Sequence, residues 1–410
     1  MAGTLTGTGY DVDGVRARFP ALASGVAHFD GPGGSQVPSS VARAVADAMT
    51  GGLCQRGTLT ETERRTDAVT LGARAAVGDL LGVDPGGVVF GRSMTQLTMD
   101  MARTLASSQQ WGPGDEVVVS RLDHDSNIRP WVLAAESVGA TVRWLDFDPR
   151  TAEVDDIETV LTTQTRLVAL TAASNLFGTR PDVAAVAGAA HEVGALVYVD
   201  AVHLTPHAPV DAAALGADLL ACSPYKFFGP HLGVLVGAPA LLRSLRPAKL
   251  MPSTDAVPER FELGTLPYEL LAGVTAAVDF IAGLEPAGAG DRRADVLASM
   301  GTVEAYEDTL LERLLDGLGA LAGVTLHGRP ARRTPTALFS VDGHTGREVH
   351  EHLAARGVNA PASHFYALEA SRHAGLGDDG AVRAGIAPYT SPEEVDRLVE
   401  GVAALVGTAR

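Results

Sequence analysis

Seven short runs of β-branched and apolar residues punctuate the first part of the chain, separated by longer Ala- and Leu-rich stretches of helical period. The runs are Gly87–Phe90, Glu116–Ser120, Thr141–Leu145, Leu167–Thr171, Leu196–Asp200, Leu219–Cys222 and Gly233–Val236. Between them, Met94–Ser107, Val183–Val193 and Asp211–Leu215 read as helices. Such alternation predicts an α/β domain built on a seven-stranded, mostly parallel sheet. Ligands of these sheets bind beyond the carboxyl ends of the strands, so the residues closing each run are the ones to read for chemistry.

The chain of 410 residues is 46% hydrophobic, enough to bury one large core and a smaller domain. Its net charge of −17 argues against a nucleic-acid partner, which would demand clusters of Lys and Arg that are not found. No basic region leads into an apolar stretch at Met1–Thr6 and no long uncharged apolar run follows, so the expectation is a cytoplasmic protein without a membrane span. Two cysteines, Cys54 and Cys222, are too few for a disulfide framework, and neither has metal-ligand spacing, so no metal is expected.

Lysine is rare: Lys226 and Lys249 are the two in the chain, against 32 Lys and Arg together. A chemistry that needs a primary amine has those two to choose from. Lys226 lies in Ala221–His231 among Phe, Pro and Gly, a setting that disfavours the ammonium and makes the amine available to an aldehyde, with pyridoxal phosphate the first suspect. Lys249, in Arg246–Leu250, reads as a surface lysine.

The other strand ends are also chemically loaded. Gly91–Gln96 is a strand-to-helix turn in which Ser93 or Thr95 would cap the helix, leaving backbone N–H groups for a phosphate; most such turns are caps and nothing more. His124, just past a strand, has an imidazole face to lay on a flat ring, or is a solvated loop histidine. Asn175 has an amide for a ring oxygen, and Gly178 permits a tight turn. Asp200 closes an apolar strand, where an unpaired carboxylate is costly, so it either caps a helix or meets a cation such as a protonated pyridine nitrogen.

Taken in order, the phosphate turn, His124, Asn175, Asp200 and Ser223-Pro224-Tyr225-Lys226-Phe227-Phe228-Gly229-Pro230 resemble the fold-type I pyridoxal phosphate enzymes, specifically the class V aminotransferase and cysteine desulfurase-like family. Phe29–Pro38, Val382–Ile386, Tyr389 and Ser391–Val395 extend the resemblance over nearly the whole chain. It implies an N-terminal segment (1–29) packed on the small domain, a large cofactor domain (30–265) and a small C-terminal α/β domain (266–410). In the last, Ala337–Val341 and Ala381–Ile386 read as strands, and Ser391 opens the final helix with a capping box to Glu394.

By that resemblance the cofactor is pyridoxal 5'-phosphate, carried by Lys226 as a Schiff base. Asp200 would hold the pyridine nitrogen, His124 would stack on the ring, and Asn175 with His203 would contact the 3' oxygen. Met94, Thr95, Ser223 and Tyr225 would hold the phosphate, and Gly264-Thr265 would reach the phosphate of a neighbouring subunit, implying a homodimer with shared sites. Arg383 would bind the substrate α-carboxylate, with Gly34, Arg56, His364 and Tyr366 at the edge of the substrate site.

The resemblance breaks at Pro361–Ala367, the counterpart of the loop carrying the desulfurase nucleophile. Tyr366 stands where the sulfur-accepting cysteine belongs, which rules out persulfide chemistry through this loop. Cys54 is a weak substitute, and Cys222 precedes the lysine on a strand and reads as core. Relatives without the cysteine include C–S lyases and enzymes of antibiotic biosynthesis that process cysteine S-conjugates, as in the lincosamide pathways. The expected activity is therefore β-elimination from L-cysteine or a cysteine S-conjugate. Behind it stand decarboxylation-coupled oxidative deamination to an aldehyde, then transamination or racemisation. A non-catalytic cofactor-binding protein is the reading of another class, but it would have no use for Arg383 beside Lys226 and Asp200.

Overall fold

A computed structural model describes residues 10–288 and 290–407. Residues 1–9 of the expected N-terminal segment lie outside the described residues.

The seven runs form one sheet: β1 (Val88–Gly91), β2 (Glu116–Ser120), β3 (Thr141–Leu145), β4 (Thr165–Thr171), β5 (Leu196–Asp200), β6 (Leu219–Cys222) and β7 (Gly233–Gly237). Their spatial order is β1-β7-β6-β5-β4-β2-β3. The pairs among β2 to β6 are parallel, and β7 runs antiparallel to both its neighbours. Successive side chains of a strand point to opposite faces, and here each face meets its own core. Val88, Phe90, Val118, Val168, Leu170, Val197, Val199 and Leu220 belong to one core. Their neighbours Val89, Val117, Val119, Leu167, Ala169, Tyr198 and Leu219 belong to the other. Burial on both faces is why the runs are almost continuously apolar. Each such Val, Leu or Phe side chain contributes about 1.5–3 kcal/mol on leaving water.

Helices α1 (Ser39–Thr50), α2 (Glu61–Leu81), α3 (Met94–Ser108), α4 (Arg129–Val138), α5 (Val183–Glu192) and α6 (Tyr268–Ala282) accompany the sheet. Helices α3 and α4 supply one core through Leu97, Met101, Trp131 and Ala135. Helices α2, α5 and α6 supply the other through Val77, Val186 and Val274. One expected helix is absent: Asp211–Leu215 is a single turn. The Asp211 side chain accepts from Ala214 N at 2.9 Å and Gly216 then takes φ +68°, so the segment is capped and reversed within five residues.

The long helix α7 (Arg292–Gly319) leads to a second, antiparallel sheet of β8 (Val324–His327), β9 (Thr336–Val341), β10 (Ala362–Ser363) and β11 (Ala381–Gly385), in the order β10-β11-β9-β8. At the start of α8 (Pro392–Gly407) the Glu394 carboxylate accepts from Ser391 N at 2.9 Å and the Ser391 hydroxyl accepts from Glu394 N at 3.3 Å. Toward the N-terminus, Ala27-His28 pairs in parallel with Val358-Asn359, and Arg16 forks onto Glu394 at 2.7 and 3.0 Å. Among the described residues no helix is long and apolar enough to cross a membrane.

Candidate active site

The carboxyl ends of β2, β4, β5 and β6 open into a cavity of about 1000 Å³, which the 363–366 loop and Arg383 of β11 close from the other side. Met94, Thr95, His124, Asn175, Asp200, His203, Ser223, Tyr225, Lys226, His364, Tyr366 and Arg383 all line it. Residues spread over nearly 300 positions of sequence thus share one chamber. Pro32, Gly33, Met99, Ser126, Arg129 and Phe365 also contribute to its wall.

Lys226 ends a single helical turn, Pro224–Lys226, just after β6. Ser35 ties that turn down: its N–H donates to Tyr225 O at 3.1 Å, and its hydroxyl accepts from Phe228 N at 2.8 Å. The Lys226 amine donates to Pro32 O and lies 4.8 Å from the centre of the Tyr225 ring. Burial and the nearby Arg383 cation lower its pKa from 10.5 to about 7, against the opposing pull of Asp200.

Asp200 closes β5 with 4% of its surface exposed and accepts one hydrogen bond, from Val202 N at 2.9 Å. No side-chain cation of the described residues pairs with it, and burial raises its pKa to about 6. A second carboxylate, Asp123, is fully buried behind it, held by Asn127 Nδ2 at 2.6 Å and Thr171 N at 3.0 Å. Burial raises its pKa as well, and the Asp200 charge adds to that. Sequence reading did not single out Asp123. Its one local sign is Asn127 four residues on.

His124 is held by Ser126, whose N–H donates to Nδ1 at 3.0 Å, so a neutral ring carries its proton on Nε2. Burial and the cations of Lys226 and Arg383 lower its pKa to about 4. One face of the ring is covered by Tyr366, 5.5 Å away and 22° from parallel. His203 places Nε2 3.0 Å from Thr336 Oγ1 and is held neutral by burial.

At the Gly91–Gln96 turn Ser93 is the helix cap, accepting from Gln96 N at 3.1 Å. Strand β7 approaches this turn so closely that a Cβ at Gly233 would lie 2.4 Å from Met94 N. A similar constraint acts at Gly178, with φ +78° and a Cβ position 2.8 Å from Thr334 O.

Arg383 is 2% exposed, and burial lowers its pKa to about 9. Its Nη1 donates to Asn175 O at 2.7 Å, while Nε has no partner. Asn175 Oδ1 is likewise buried without a partner. These are the residues expected to meet a substrate carboxylate and a ring oxygen.

Three predicted residues do not line the cavity of their own chain. Arg56 is tied to Asp67 and Glu259, both at 2.8 Å. Gly34 lies behind the wall, where a Cβ would be 3.5 Å from the Tyr225 ring; its neighbour Gly33 is the lining residue. Thr265, expected to serve a neighbouring subunit, is exposed. Tyr225 stacks on His231 at 4.6 Å and 9°.

The donor set fits pyridoxal 5'-phosphate. An amine of lowered proton affinity, a buried carboxylate without a cationic partner, an imidazole face and a helix start with free N–H groups meet in one chamber. Comparison with known proteins agrees. The family described as aminotransferase class-V matches residues 27–398. A Mycobacterium tuberculosis protein, MT3887, is 36% identical over 97% of this chain and 99% of its own. A cysteine desulfurase of Klebsiella pneumoniae is 30% identical over 96% and 98%. Among solved structures, the Escherichia coli cysteine desulfurase CsdA superposes with a TM-score of 0.85 at 25% identity, covering 97% of this chain and 99% of its own.

Proposed function

The chain belongs to the class V aminotransferase family, with pyridoxal 5'-phosphate as its cofactor, and on that footing we propose that it is a carbon–sulfur lyase acting on L-cysteine or a cysteine S-conjugate. The observation that carries this reading is a cavity with a low-pKa lysine and a carboxylate clamp but no thiol. Neither Cys54 nor Cys222 lines it, and Tyr366 fills the place where a desulfurase would hold its acceptor. Cys222 is fully buried, and burial pushes its thiol pKa up, which suits packing and not sulfur transfer.

In this reading Lys226 carries the cofactor, Asp200 holds its pyridine nitrogen, and His124 covers one ring face. Asn175 and His203 meet the 3' oxygen, while Met94, Thr95 and Ser223 receive the phosphate. The bound cofactor supplies an electron sink for the pair left at the substrate α-carbon. Arg383 fixes the α-carboxylate through the edge that bears its unpartnered Nε, which orients the Cα–H bond. Lys226, whose burial lowers its pKa to about 7 and so leaves a substantial neutral fraction at pH 7 to 8, would take the α-proton. Loss of the Cβ–S bond then releases a thiolate, which leaves as the thiol, and 2-aminoacrylate, which water converts to pyruvate and ammonium. The reading includes a homodimer in which the exposed Thr265 completes the partner's phosphate site.

Incubation of the purified protein with S-substituted cysteines, following pyruvate by a coupled dehydrogenase assay and thiol by alkylation, tests the proposal. Pyruvate and thiol should appear in equal amounts and vanish in Lys226→Ala. An S-linked aldehyde with CO₂ in their place would overturn it.

A further inference from the structure

Two consecutive non-glycine residues, Phe365 and Tyr366, hold the left-handed backbone conformation, at φ of 51° and 61°. Bulky side chains avoid that region and persist there only where the surroundings over-determine it. Here both sides of the cavity do so. Asn175 Nδ2 donates to Phe365 O at 2.9 Å, and Asp125 N donates to Tyr366 O at 2.8 Å, both from loops of the large sheet. On the near side, Phe365 N donates to Ser363 Oγ at 3.2 Å and Tyr366 N to His364 Nδ1 at 3.1 Å.

The strained turn sends its two rings to different partners. Tyr366 goes to His124, and Phe365 lies against the Arg383 guanidinium with 3.7 Å between its ring centre and Cζ. Arg383 makes no ion pair with any carboxylate of the described residues, which is unusual for a cation this buried; Asp30, whose charge reaches it, offsets only part of the burial. A carboxylate neighbour would stabilise the charge but would also occupy the N–H edge that a substrate needs. An aromatic face stabilises the cation without using any donor.

We propose that Phe365 is a positioning residue: its ring holds the Arg383 plane so that the Nε edge stays free for the substrate α-carboxylate, and the left-handed turn at 365–366 exists to deliver it. This rests on the reading that the site takes an α-amino acid.

The test is calorimetric titration of the holoenzyme with 3-(methylthio)propanoate, which has the carboxylate and thioether but no amine to react. Phe365→Leu should weaken binding about tenfold, the scale of a desolvated cation–aromatic contact, whereas Phe365→Tyr, which keeps the stacking face, should stay within about twofold of the parent. With an S-substituted cysteine as substrate, Phe365→Leu should raise KM more than it lowers kcat. Unchanged or tighter binding in Phe365→Leu would overturn the proposal, as would equal weakening in both variants. Binding of the acid requires no Cβ–S cleavage, so a protein that binds it in this manner yet releases no thiol refutes the lyase reading alone.

Discussion

Replacing Asp200 with Asn is expected to move stability in opposite directions in the cofactor-free and cofactor-bound protein. In the free protein the carboxylate is buried with one backbone donor and no ion-paired cation, Lys226 offsetting only part of the burial from a distance, and its pKa rises from 3.8 to about 6. The folded state therefore keeps this proton to higher pH than the unfolded state does. Stability falls as pH rises from about 4 to about 6, and the penalty stays constant above that. A gap of about two pH units corresponds to ~3 kcal/mol. With an unfolding entropy of about 2.1 cal/mol/K per residue over 410 residues, that is a shift in Tm of roughly 3 °C. Asp200→Asn should thus raise the Tm of the cofactor-stripped protein at pH 8, and the gain should shrink below pH 6. Once a pyridinium nitrogen faces the carboxylate, the same change removes the counter-charge and should lower the Tm of the holoprotein. Differential scanning fluorimetry of both forms at pH 5 and pH 8 decides the matter. A variant less stable than the parent when stripped at pH 8, or a change of the same sign in both forms, would refute the reasoning.

Other outcomes follow from the same geometry. Arg383→Lys replaces a planar fork by a point charge and should reduce kcat/KM for an amino-acid substrate by about 100-fold; steady-state kinetics within a fewfold of the parent would contradict the clamp. The rate of cofactor uptake by the stripped protein needs a neutral amine, so it should rise with pH through about 7 and then level off, as stopped-flow absorbance would show; a rate still climbing above pH 9 would count against a desolvated Lys226. Glu262 holds the buried Arg74 through two hydrogen bonds of 2.9 Å and also accepts from Phe90 N, so Glu262→Ala should destabilise the protein by about 3–5 kcal/mol in denaturant unfolding. Much of that loss should return in the Arg74→Met, Glu262→Met double variant.

What the sequence could reveal about the fold follows from its physics. Strands buried on both faces write themselves as apolar runs, so Glu116–Ser120, Leu196–Asp200 and Leu219–Cys222 have the same limits in sequence and structure, and the half-exposed edge strand Thr141–Leu145 keeps its limits too. Their spatial order, and the antiparallel insertion of β7 between β1 and β6, depend on tertiary pairing that leaves no local trace. Asp211–Leu215 carried helix-forming alanines, but an aspartate cap and a glycine reversal so close together leave room for one turn. In the site, Lys226 and Asp200 were legible because an amine or a carboxylate in an apolar setting demands a reason. Asp123 and Phe365 were not, because their meaning lies in Thr171 and Arg383, residues remote in the chain. Arg56 reaches Asp67 and Glu259 of its own chain, contacts that its motif does not announce because Glu259 is remote in sequence.

The most direct test of the central claim is the fate of a carboxyl-labelled substrate. An S-substituted L-cysteine carrying ¹³C at C1, incubated with the holoprotein and followed by NMR and mass spectrometry, should yield [1-¹³C]pyruvate and unlabelled thiol, because β-elimination leaves the bond to the carboxylate intact. Release of the label as ¹³CO₂, with the sulfur retained on a two-carbon aldehyde, would contradict the account.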